Sequence, residues 1–151
     1  MAEIKGRIEP VTNVGKERLS IVVELDDRSF LFPAGIGVSH LNLSSASGRG
    51  VSIEAVASFN TARHDPRLAL LSYEDAREFA RKIVDAYYQG RTQHALSEAI
   101  KIAIVFNPNG FLLQFSGDRE NADLFVTSGA IMRLAQGLLR VLDDIAPVAT
   151  N

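Results

Sequence analysis

The chain has 151 residues, 46% hydrophobic and 23% charged, with a formal net charge of −2 and no cysteine. That is enough for a single domain, 1–151, with a real core. It excludes disulfides, thiolate catalysis and cysteine-held metals. Charge is spread without a block of one sign, so neither nucleic acid nor a membrane is expected as a partner. No apolar run approaches the roughly 20 residues of a membrane helix. MAEIKGRIEP lacks the apolar centre of a signal peptide, and a cytoplasmic protein is expected.

Glu3 to Glu9 alternates weakly and reads as a short edge strand, followed by a turn at Asn13-Val14-Gly15. In RLSIVVEL, Leu19, Ile21, Val23 and Leu25 share one face at period two. Asp26-Asp27-Arg28-Ser29 reads as a turn, and Phe30-Leu31-Phe32 as the partner strand of a hairpin, stopped by Pro33. PAGIGVSH is a glycine-punctuated connection. VSHLNL alternates again, SSASGRG reads as a polar loop, and VSIEAVASF is a second clear strand. Leu68 to Leu71 is a short, fully apolar strand after the Asp65-Pro66 turn.

A helix over about 73–88 follows, striped by Ala76, Phe79, Ala80, Ile83, Val84 and Tyr87 and ended by Gly90. The spacing of Ala95, Leu96, Ala99 and Ile100 predicts a shorter helix from Thr92 to Ile100. Ile102 to Phe106 is continuously apolar and reads as a buried central strand. Asn107-Pro108-Asn109-Gly110 carries turn chemistry, Phe111 to Phe115 returns, and Asp123 to Thr127 is a further strand. The last helix, about 128–145, has the stripe Ile131, Leu134, Ala135, Leu138, Val141, Leu142 and Ile145, with Pro147 beyond it. This order predicts an α+β fold: an antiparallel sheet of short strands and hairpins carrying two long amphipathic helices. Ser72–Ala86 and Thr127–Val141 align in their apolar positions, which raises a structural half-repeat, 51–90 and 101–146.

Few residues offer chemistry. Glu74-Asp75 follows Ser72, an N-cap position, and acids in a first turn complement its free N–H groups. The equivalent positions in the second copy are Gly129 and Ala130, so the acids read as helix-start chemistry. His40, His64 and His94 form no ligand spacing, and His94 with Glu98 is at most half a metal site. Gly35-Ile36-Gly37-Val38-Ser39-His40 begins like a dinucleotide fingerprint, but its third glycine is His40 and a strand follows. No catalytic constellation is present, and no metal or cofactor is expected.

NLSSASGRGVSI resembles the Asn/Asp-x-Ser-x-x-Gly motif of PilZ domains, which bind cyclic dinucleotides on a β-barrel. Asn42 and Ser44 match. Gly48 falls one residue late, and the family's upstream Arg-x-x-x-Arg element is missing, the chain offering only Lys16 and Arg18 there. The resemblance implies a ligand contact at Asn42 and Ser44, with Arg49 available for an anion. A hairpin loop is the competing reading.

Gly137 sits in the middle of the last helix, where glycine costs about 1 kcal/mol against alanine. With Ala130, Leu134 and Val141 it forms a stripe beside the main one. Such a stripe allows close approach by another backbone, either the first helix through Ala76 and Ala80 or a second subunit. Arg133, Gln136 and Arg140 lie on the outer face of that helix. The sequence therefore predicts a non-catalytic module acting through protein contacts, self-associating or binding another protein at Ala130, Leu134, Gly137 and Val141. The alternative is a small-ligand or nucleotide binder using the glycine/serine loops around 35–50.

Overall fold

The computed structural model describes residues 20–46, 50–57, 67–97, 101–116 and 121–145. The elements are β1 (Ser20–Glu24), β2 (Phe30–Phe32), β3 (Ile36–Ala46), β4 (Gly50–Ala57), β5 (Arg67–Ser72), α1 (Tyr73–Gln89), β6 (Gln93–Leu96), β7 (Lys101–Asn107), β8 (Gly110–Ser116), β9 (Ala122–Val126) and α2 (Ser128–Ile145). The fold is α+β. The strands form one antiparallel sheet in the order β5-β4-β3-β2-β9-β8-β7-β6, with β1 pairing on β3 beside β2. Each helix follows the last strand of an antiparallel meander, α1 after β3-β4-β5 and α2 after β7-β8-β9.

The helix boundaries follow from their caps. Ser72 is extended and its hydroxyl accepts from the Asp75 amide at 3.1 Å, while Gly90 closes α1 in the left-handed conformation and donates to the Ala86 carbonyl at 2.9 Å. Both are the roles expected of a hydroxyl N-cap and a C-terminal glycine. Ala76, Phe79, Ala80, Ile83 and Ala86 are buried; Tyr87 is exposed, because the stripe drifts to Ala86 in the last turn. Phe79 meets Phe115 of the sheet edge-to-face at 6.0 Å, a favoured aromatic geometry. In α2 the two stripes merge into one wide buried face, Ala130, Ile131, Leu134, Ala135, Leu138, Val141 and Leu142, because α2 packs on α1 as well as on the sheet.

Several expectations change. β1 and β2 do not form a hairpin. β3 is eleven residues long and serves both: Ser20–Glu24 pairs with His40–Ser44, and Phe30 and Leu31 pair with Gly37 and Ile36. The connection expected over 33–40 therefore ends at Gly35, and Ser44, Ser45 and Ala46 belong to the strand. The helix expected from Thr92 to Ile100 is instead strand β6, with Gln93–Leu96 paired against β7. Thr92 fixes that start by accepting from the Phe106 amide at 3.0 Å. Ala95 is buried between exposed His94 and Leu96, a period of two, so pairing with β7 overrides the helical spacing. The weak strand at 3–9, Leu19, His64, the Asp65-Pro66 turn, Glu98 and Pro147 lie outside the described residues.

One buried group stands out. The Ser29 hydroxyl is 1% exposed at the residue level and has no hydrogen-bond partner among the described residues. An orphaned buried hydroxyl costs about 1–3 kcal/mol. Ser29→Ala should therefore stabilise the fold by about 1 kcal/mol, read as a rise in the urea midpoint at unchanged m-value.

Candidate functional site

Both helices pack on the same side of the sheet, so its residues divide by parity. Facing the helices are Leu41, Leu43, Val51, Ile53, Ile102, Ile104, Phe111, Leu113, Phe115, Leu124 and Val126, all buried. On the opposite face the two halves differ. Over β1, β3, β4 and β5 that face is mostly polar, with Ser20, His40, Asn42, Ser44, Ser52 and Glu54. Over β2, β9, β8 and β7, the register places Phe30, Phe125, Leu112 and Val105 side by side in one row. Phe32 and Ala103 flank the row, and Leu96 lies on the neighbouring β6.

Among the described residues no element covers this row. Phe30 and Phe32 are each 43% exposed and Leu96 is 63% exposed. Phe125, Leu112 and Val105 are half-buried by one another. The continuous apolar run 102–106 is thus not buried on both sides. Two helices cover one face of an antiparallel sheet, and the alternate residues of the run remain apolar on the other. Among the described residues, Asp123 and Lys101 are the charged residues on this face, on either side of β8. The surface is close to neutral.

A second feature lies where β1 meets α2. An open groove of about 580 Å³ is lined by Ile21–Asp26 and by Arg133, Gln136, Gly137 and Arg140. Arg133 crosses to the β1–β2 turn. Its Nε donates to the Glu24 carbonyl at 3.0 Å, and its Nη2 donates to Asp26 Oδ1 at 3.1 Å. The Thr127 hydroxyl donates to the other Asp26 oxygen. Thr127 occupies the place Ser72 has before α1, but its hydroxyl serves a turn 101 residues away.

The Asp26 carboxyl is held below the usual carboxylate range, chiefly by the Thr127 hydroxyl; partial desolvation opposes this, and Arg133, then Arg28, reinforce it. A lowered folded-state pKa adds stability that is fully present above the unfolded value of about 3.9. That stability is lost as pH falls through the folded-state value. The pair is half exposed, so Asp26→Asn should cost under about 1 kcal/mol at pH 7. The gap to the parent chain should close below about pH 3.9 in denaturant titrations repeated across pH.

The predicted interface residues sit elsewhere than expected. Ala130, Leu134, Gly137 and Val141 are all buried within the chain. A Cβ on Gly137 would stand 2.8 Å from Val23 Cγ2 and 3.0 Å from Leu43 Cδ1. The glycine admits β1 and β3, not α1 and not a second subunit, so this stripe offers no surface to a partner. Asn42 and Ser44 share the outer face of β3, opposite Glu54 and Ser52. They are strand positions, which removes most of the loop proposed as a ligand site around 35–50; Arg49 lies outside the described residues. Glu74 and Asp75 are the first-turn acids of α1.

No protein-family model matches the chain, and no curated protein matches it. Some solved structures show a distant likeness to it. SsgB, from work on longitudinal cell division during sporulation of Streptomyces coelicolor, is 12% identical with a TM-score of 0.47, covering 88% of this chain and 94% of its own. An SsgA-like sporulation-specific cell division protein from Thermobifida fusca is 10% identical with a TM-score of 0.44, covering 91% and 98%. Outer surface protein E is 13% identical with a TM-score of 0.40, covering 83% and 89%. Likeness at this level carries no inference about what this chain does. No helix among the described residues is long and apolar enough to cross a membrane.

Proposed function

We propose that this protein is a non-catalytic interaction module that self-associates through the outer face of β2, β9, β8, β7 and β6. The observation that carries this reading is the uncovered row Phe30, Phe125, Leu112 and Val105. Monomeric proteins rarely leave contiguous apolar patches of more than a few hundred Å² in water. Five strands of 3, 5, 7, 7 and 4 residues, about 4.8 Å apart and about 3.3 Å per residue, outline about 410 Å², which side-chain relief raises toward the roughly 800 Å² per partner of a stable interface. A second copy suits the face because its acid and its base flank β8 on opposite sides, leaving it neutral and able to complement itself.

The absence of cysteine fits a reducing compartment, and the cytoplasm is the setting we assign. Light scattering on the full chain tests the proposal. The expected mass is a multiple of 16.4 kDa. A mass of one chain at every accessible concentration would refute self-association.

A further inference from the structure

We propose that the edge of β1 turned away from β3, unpaired among the described residues, is a docking site for an extended acidic peptide, which adds to the sheet as a strand in the groove beside α2. In a β-strand the N–H and C=O groups of alternate residues point to opposite edges. The Leu25 amide donates to the Ser39 carbonyl at 3.0 Å, so the odd residues of β1 address β3. The Glu24 carbonyl instead accepts from Arg133 Nε, on the other side. Ser20, Val22 and Glu24 therefore direct their main-chain groups into the groove.

β3 is the strand paired with β1 among the described residues. Arg133 occupies one carbonyl of the free edge, at its end. At the centre the amide and carbonyl of Val22 face the groove with no partner among the described residues. An unpaired edge is a template for one kind of occupant, another strand.

The opposite wall sets the occupant's charge. Gln136 and Arg140 are exposed on α2 and line the groove. Arg133 is engaged by Asp26, whereas Arg140 has no ion pair or hydrogen bond among the described residues. The Val23 side chain faces α2 at Gly137, so the Glu24 side chain, one residue on, turns away to the other face of the sheet. The wall toward α2 thus presents the Arg140 guanidinium, unpaired among the described residues, which favours a carboxylate on the added strand. This site is separate from the apolar face proposed for self-association, and either stands if the other fails.

The probe is a blocked pentapeptide of alternating valine and threonine with one central glutamate, added to the full chain. A second peptide of the same sequence is N-methylated at alternate residues, which removes the donors and keeps the side chains. The first should slow exchange of the Val22 amide about tenfold, the worth of one hydrogen bond, and the second should bind about tenfold more weakly. Val22→Pro removes the edge donor at a position where proline is tolerated, and should abolish binding at unchanged helical circular dichroism. Arg140→Gln, a surface change, should weaken binding and flatten its salt dependence, and it decides the matter if the proline variant does not fold. Equal binding of both peptides, or none at millimolar concentration, overturns the proposal. So does a Val22 amide already protected without peptide: at all dilutions it would show the edge held by residues 1–19, and only when concentrated, by a second copy.

Discussion

Gly137→Leu will destabilise the chain by about 3 kcal/mol or more, the upper end of what overpacking a core costs. The Cβ alone would lie 2.8 Å from Val23 Cγ2 and 3.0 Å from Leu43 Cδ1, and three further carbons have nowhere to go. Both neighbours are short branched side chains on paired strands, so relief requires lifting β1 and β3 from α2 together. Gly137→Ala discriminates further. It recovers about 1 kcal/mol of helix propensity, but its methyl meets the same two side chains, so the alanine variant should be no more stable than the parent. Urea denaturation followed by circular dichroism measures both. A leucine variant of parental stability would mean that α2 does not seat on β1 and β3 through this glycine.

Phe125→Lys should have the opposite profile: an intact fold and a lost assembly. Phe125 stands in the apolar row between Phe30 and Leu112, on the face no helix covers. A lysine there keeps the strand and remains in water in the monomer. In a face-to-face dimer it would bury an unpaired ammonium at the centre. Removing a central aromatic anchor commonly costs 2 kcal/mol or more, so the dissociation constant should rise about thirtyfold or more. Leu112→Lys, next in the same row, should behave alike, which separates an effect of the face from an effect of one residue. Unchanged mass for both variants across a dilution series would remove the outer face from the interface.

The architecture was legible in the sequence where local chemistry decides it. Ser72 and Gly90 bracket α1 by capping, Asn107 to Gly110 closes the β7–β8 hairpin, and the period of three to four shows most of the buried residues of both helices, though not the drift from Tyr87 to Ala86 in the last turn of α1. What failed depended on long-range pairing. Nothing local to Gln93–Leu96 announces a strand; β7 supplies the partner that makes it one. Phe30 to Phe32 follows β1 closely in the chain, yet its partners are β3 and β9.

The candidate surface was missed for a related reason. Ile102–Phe106, and Phe111–Phe115 apart from Gln114, are apolar on both parities, and the continuous run 102–106 reads as a buried strand. Among the described residues two long helices cover one face of this sheet, so half of each run lies outside the core they form. That inference needs the count of covering elements, not the run alone. Gly137 misled in the complementary way: its spacing marked close packing correctly, and the partner was the protein's own sheet.

A single-cysteine probe tests the central claim directly, because the chain has no cysteine of its own. Gln114 lies on the outer face at β8, between Asp123 and Ala103. Arg77 is an exposed control on α1. Thiol labelling of Gln114→Cys should slow markedly as protein concentration rises through the association range, while Arg77→Cys labels at a constant rate. Equal and concentration-independent labelling at both positions would contradict self-association through this face.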